Sequence, residues 1–167
     1  MTRCRGRRWS SAGAVAQSGS RMFPTFIREG SMVDNIAAVR MFSIVIANKP
    51  GEGEKLLAAL KAAGVNLKAL WAYWLSRNQT RVDIVADDPK LLQKVLRTMK
   101  IPIDRKGEVF LAIGEDRVGA LEGPMTKLAA AGINVFAAAA ISAGAGRFGA
   151  IVHVGPADIR KAKKALS

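Results

Sequence analysis

A single cysteine and a single histidine stand among the 167 residues. Cys4 has no partner for an intramolecular disulfide, which points to a reducing compartment, with the cytoplasm as the default. Cys4 and His153 together cannot compose the usual zinc-ligand spacings, so no metal and no other cofactor is expected. Long apolar runs are missing as well. A membrane-spanning helix needs about 18 uncharged apolar residues, and the densest run here, residues 133–141, is short and rich in alanine. No membrane partner is expected. Acidic residues are scarce, 13 against 26 basic ones, for a net charge of +13. The imbalance is concentrated at the start, where residues 1–40 hold seven Arg against Glu29 and Asp34.

Residues 1–31 show no hydrophobic periodicity and are rich in Arg, Ser, Gly and Ala, with Glu29 their only acid. That composition predicts disorder, and the expectation is a basic tail over residues 1–38 with no part in the fold. Three readings stay open for it. One is an upstream start codon, with true initiation at Met32 or Met41. Another is an organellar transit segment, since such segments are rich in Arg and Ser and poor in acids. The third is a nucleic-acid or membrane tether.

What the chain does contain is a repeat. Asn48-Lys49-Pro50-Gly51, followed by a helical pattern and Ala63-Gly64-Val65-Asn66-Leu67, returns 68 positions later as Asp116-Arg117-Val118-Gly119 and Ala131-Gly132-Ile133-Asn134-Val135. Phe42 falls on Phe110, Leu60 on Leu128 and Gly64 on Gly132. A repeat of this length is a duplicated supersecondary unit.

Residues 41–47 form a β-branched apolar run that leaves into the Asn48–Gly51 turn, and so read as a buried strand. Leu56, Leu57 and Leu60 recur at helical spacing over residues 52–63, with Gly64 as the terminator. Residues 65–75 alternate apolar and polar, Arg77-Asn78-Gln79 is a turn, and residues 82–86 are a third strand. Asp87-Asp88-Pro89 opens a second helix with carboxylates at its positive end and proline in its first turn, and Leu91, Leu92, Val95 and Leu96 form its buried stripe. Ile101 and Ile103 read as a short fourth strand.

The predicted order is strand, helix, strand, strand, helix, strand, an α+β, ferredoxin-like split βαβ plan, βαββαβ. The second copy runs strand 109–113, helix 120–131, strand 133–141, a glycine-rich turn, strand 148–154 and a helix from Pro156. It lacks the final strand, so its sheet should expose an edge or borrow a strand. The expected units are residues 39–107 and 108–167.

No catalytic constellation is visible, and the chain is not expected to be an enzyme. Asp87-Asp88 fits a helix start and Glu115-Asp116 a strand end, with no histidine nearby for acid–base work. His153 sits in an alternating strand between Val152 and Val154, where a lone histidine is ordinarily structural. Gly51-Glu52-Gly53 and Ala143-Gly144-Ala145-Gly146 lack the lysine and hydroxyl of a phosphate loop. Trp71, Tyr73 and Trp74 are expected to face Ala139, Ala140 and Ser142 of the other copy, so one strand is bulky where the other is thin; packing between them is the favoured explanation, and a ligand cavity over the alanine strand the alternative.

The two phrases Asn48-Lys49-Pro50-Gly51 … Ala63-Gly64-Val65-Asn66-Leu67 and Asp116-Arg117-Val118-Gly119 … Ala131-Gly132-Ile133-Asn134-Val135 resemble the ACT domain, a small regulatory module whose first turn often carries an acid or Asn, any residue, Pro and Gly. Together they cover residues 40–166, which is similar to free-standing tandem ACT proteins without a catalytic domain. Val118 departs from the pattern by replacing the proline. The resemblance implies side-by-side pairing of units, a homodimer, and binding of an amino acid or other small effector between units. The candidate ligand-binding residues are Asn48, Lys49, Pro50, Gly51 and Asn66 in the first copy, and Asp116, Arg117, Val118, Gly119 and Asn134 in the second. Amides at each helix start favour a carboxylate, and each Asn amide, expected just beside the turn, can serve either end of a zwitterion.

The leading expectation is therefore an effector-binding regulatory protein. An adaptor that regulates a protein partner through sheet or helix pairing is the alternative. Nucleic-acid binding ranks third: the basic charge suits it, but modules of this plan stack bases on aromatics of the central strands, and these strands carry Phe42 alone.

Overall fold

A computed structural model describes residues 35–167. The predicted tail, residues 1–34 of it, lies outside the described residues. The strands are β1 (Asn35–Ala47), β2 (Leu67–Ser76), β3 (Gln79–Ala86), β4 (Ile103–Glu115), β5 (Val135–Gly144) and β6 (Arg147–Val154). The helices are α1 (Glu52–Ala62), α2 (Pro89–Thr98), α3 (Glu122–Ala130) and α4 (Ile159–Leu166), the last preceded by a 3-10 turn over Pro156–Asp158. The strands form one antiparallel sheet in the order β2-β3-β1-β4-β6-β5.

Local chemistry accounts for the helix ends. The Asp88 carboxylate caps α2 by accepting from the N–H groups of Lys90 at 2.8 Å and Leu91 at 3.0 Å, and Pro89 occupies a first-turn position whose missing N–H costs nothing. Gly51 heads α1 at φ 87°, a left-handed conformation that a residue with a β-carbon adopts only under strain.

Two of the expected boundaries are corrected. The short strand expected at Ile101 and Ile103 and the one expected at 109–113 are a single strand, β4, so the division expected between residues 107 and 108 falls inside it. The polar stretch that hides this continuity is satisfied by side chains: Asp104 pairs with Arg81 at 3.1 Å, Lys106 donates to Gln93 at 3.3 Å, and Glu108 pairs with Lys163 at 2.8 Å. Residues 35–38, assigned to the tail, belong to β1. Asn35 through Arg40 pair with β4 from Ile113 to Glu108 and supply the strand that the second copy lacks.

Each long strand thus serves both units. Arg40 lies opposite Glu108, its own repeat equivalent, so an internal two-fold axis passes between them. Phe42, Ile44 and Ile46 on β1 pack with Leu56, Leu60, Leu92 and Leu96 of α1 and α2. Ile36 and Ala38, on the same face of β1, pack with Phe110, Leu128, Val152, Ala162 and Leu166. All four helices therefore cover one face of the sheet.

The opposite face has no helix and still buries Val85, Val109 and Ile151, with Val39, Met41 and Trp71 against them. Trp71 on β2 reaches the ring of His153 on β6, with centroids 5.3 Å apart. Four strand steps separate these strands, about 19 Å in a flat sheet. The sheet is consequently curled, with its helix-free face concave. Trp71 packs against β6 rather than the alanine-rich β5, and Trp74, expected in the same packing, is 70% exposed because it points to the other side of edge strand β2.

Candidate functional site

The two repeated turns are held by the same backbone contact: Asn48 N–H donates to Asn78 C=O at 2.9 Å, and Asp116 N–H to Gly146 C=O at 2.7 Å. In the first, the Asn48 side chain donates to Arg77 C=O at 3.3 Å and accepts from Thr80 Oγ1 at 3.2 Å, which ties the turn to the β2–β3 hairpin. In the second, Asp116 accepts from Ser142 Oγ at 2.5 Å. Lys49, Pro50 and Arg117 are exposed, Val118 is almost fully so, and Gly119 repeats the left-handed conformation of Gly51 at φ 76°.

Asn66 and Asn134 are not beside these turns. The Asn66 amide donates to the Asp87 carboxylate, and its C=O accepts from Asp87 N–H at 3.0 Å, at the end of β3 remote from Asn48. The eight residues of β3 separate the two sites by roughly 23 Å. Asn66 and then Lys68, 3.1 Å away, hold the Asp87 carboxyl below its usual range. Asn134 precedes Val135, which pairs with Val154 at the end of β6 away from the Asp116 turn. Each Asn follows a helix that has carried the chain back along the sheet, and linear proximity to the repeated phrase concealed that reversal.

The two turns also lie far apart within one chain. They follow β1 and β4, which run antiparallel about the Arg40–Glu108 axis, so they leave the sheet at opposite ends. A single ligand cannot touch both turns of one copy.

The first turn borders a cavity of about 230 Å³ on the helix side of the sheet. Leu56, Leu57, Leu70, Ala72 and Val82 make it apolar, while Asn48, Lys49 and Thr80 place polar groups along it. The leucines of β2 and α1 were legible as element-forming residues but carried no sign of lining a cavity. At the second turn the equivalent of Thr80 is Phe148, which is buried with Ala120 and Ala150 and fills the corresponding space. The α1 N-terminus is already supplied with Glu52 and Glu54. Lys55, hydrogen-bonded to Glu52 at 2.7 Å, holds that carboxyl below its usual range. These acids oppose a second anion at the helix end, which leaves Lys49 as the cation of this corner.

A polar group on the helix-free face escaped the sequence reading. Asp83 and Arg81 of β3 and His153 of β6 are all more than nine-tenths buried, and Asp83 Oδ1, Arg81 Nε and His153 Nε2 have no hydrogen-bond partner. The one available signal was an aspartate inside the apolar run Val82-Asp83-Ile84-Val85. Burial pushes the His153 pKa down. A histidine kept neutral in the fold takes up its proton more readily when unfolded, so stability should be complete above about pH 6.5 and decline as the pH falls below it. Melting temperature measured against pH should show this slope in the wild type and lose it in His153→Phe.

Among the described residues, no three His, Cys, Asp or Glu side chains are grouped to hold a metal ion. No helix of the described chain is long and apolar enough to cross a membrane.

No protein-family model and no curated protein matches the chain. Solved structures do. Protein BT0572 from Bacteroides thetaiotaomicron superposes with a TM-score of 0.67 at 18% identity, covering 78% of this chain and 88% of that one. The ligand-free regulatory subunit of aspartate kinase from Thermus thermophilus gives 0.57 at 14% identity, covering 81% and 96%. Aspartate kinase from Clostridium acetobutylicum, an allosteric enzyme, gives 0.52 at 20% identity, and the match spans 85% of this chain but 35% of that one. At these identities the likeness is one of fold. The repeated βαββαβ units, their joint antiparallel sheet and these neighbours together show that the chain has the tandem ACT-type fold found in regulatory subunits.

Proposed function

We propose that this protein is a regulatory subunit without chemistry of its own, and that it binds a small effector at the Asn48–Gly53 corner. The cavity there carries the reading. Its volume of about 230 Å³ is below the 300 Å³ or so at which pockets for drug-sized ligands begin, which suits a molecule the size of an amino acid. The apolar lining from Leu56, Leu70 and Val82 suits an aliphatic side chain, and Lys49 at the rim suits its carboxylate. Because the two turns of one chain face opposite ends, a site between units would be completed by a second copy, which supports a homodimer.

Thermal-shift measurement across the twenty amino acids tests this. An aliphatic amino acid should raise the melting temperature, with a stabilisation of about 2.7 kcal/mol at a hundred times its dissociation constant. Ala72→Trp, which fills the cavity, should abolish the shift. If no amino acid acts, the adaptor reading takes over. It has its own support in Trp74, Phe136 and Ile141, large apolar side chains exposed on the two edge strands. Phe42, the aromatic that the nucleic-acid reading relied on, is fully buried beneath the helices and is not available to stack a base.

A further inference from the structure

Asp83 occupies an expensive position. Its carboxylate is 5% exposed, one oxygen lacks any hydrogen bond, and no lysine or arginine among the described residues pairs with it. Arg81, two residues away, is drawn instead to Asp104 at 3.1 Å, and Arg105 approaches the same carboxylate at 3.6 Å. Tyr73 hydrogen-bonds to the Asp83 carboxyl, yet a buried carboxyl oxygen left unsatisfied remains unfavourable.

The chain contains its own control for what mere packing requires here. At the 68-residue offset Asp83 becomes Ile151, Arg81 becomes Gly149, Trp71 becomes Ala139 and Tyr73 becomes Ile141. At these four positions the second copy builds the same surface of the same sheet with apolar and small residues, and Ile151 is buried there. The aspartate, the arginine and the rings are additions that the fold does not need.

We propose that the concave, helix-free face is a binding site for an organic ammonium ion, held by the Asp83 carboxylate beside the rings of Trp71 and Tyr73. Trp71 is the cross-strand neighbour of Asp83. Its ring lies 5.4 Å from Tyr73 and 5.3 Å from His153, which in turn lies 5.8 Å from Phe136. Aromatic faces attract cations through their quadrupole, and a desolvated carboxylate adds a charge-assisted hydrogen bond. Burial pushes the His153 pKa down, against the pull of Asp83, and so disfavours a repelling charge beside the ligand. A hydroxyl on the ligand would also offer an acceptor to Arg81 Nε. Tyr73 and Phe136 are exposed at the rim of this face. This face is opposite the corner cavity, so the two sites succeed or fail separately.

Calorimetric titration of the full chain with choline and ethanolamine, against the uncharged choline isostere 3,3-dimethyl-1-butanol, tests the assignment. Saturable binding of either amine is expected, at least about tenfold tighter than the isostere. Amide shifts should centre on residues 71, 73, 83 and 153 and spare residues 48–53. Asp83→Asn should weaken binding by about tenfold or more. Asp83→Ile should abolish binding and melt no lower than the wild type. Equal binding of choline and its isostere, no saturation by either amine at millimolar concentration, or shifts confined to residues 48–53 would overturn the proposal. The wild-type comparison decides the matter even if a variant does not fold.

Discussion

A chain that begins at Met41 should lose its second unit. The truncation removes Asn35 through Arg40, which pair with β4 from Ile113 to Glu108. It also removes Ile36 and Ala38 from the cluster around Phe110 and Leu128. Full burial of an isoleucine contributes about 1.5–3 kcal/mol, of which the half-buried Ile36 supplies a part, and each ladder hydrogen bond adds about 0.5–1.5 kcal/mol net. The sum is about 5 kcal/mol or more, comparable with the whole stability of a small domain. The newly bared stretch of β4 is also an open edge that invites pairing between copies. Urea unfolding followed by circular dichroism should show a lost or strongly shifted transition, and gel filtration should show association. A chain beginning at Met32 should keep the ladder whole and behave like the full chain. A Met41 chain that stayed monomeric with an unchanged midpoint would refute the borrowed strand.

Phe42→Ala and Phe110→Ala should each cost about 3–5 kcal/mol. The two rings are repeat equivalents and almost completely buried, but they belong to different clusters, one under α1 and α2 and the other under α3 and α4. Phe42 lies opposite Lys106 and Phe110 opposite Ala38, four residues apart along the ladder, roughly 13 Å. At that separation the losses should nearly add, which leaves the double variant unfolded at room temperature. Urea midpoints for the two single variants would measure this. A single variant that shifts the midpoint by under about 1 kcal/mol would mean that its core is not closed around that ring.

The duplication, the helix spacing, the capping of α2 and the left-handed glycines are local, and they could be read because periodicity and turn chemistry act over a few residues. Arg81 and Asp83 show the opposite case. Nothing in their neighbours says that β3 lies between two strands, or that the sheet curls until Trp71 meets His153. The same holds for Asn66, whose distance from Asn48 depends on the direction of α1.

By itself the order of residues determined two βαββαβ copies, their helix-bearing cores and the absence of a final strand in the second. Only the tertiary structure decided where that strand comes from, that the repeated turns face opposite ends, and that a buried carboxylate keeps one oxygen without a hydrogen-bond partner. These depend on pairing between segments about 70 residues apart. Such register is chosen by the summed burial of whole faces, and no short stretch of sequence contains it.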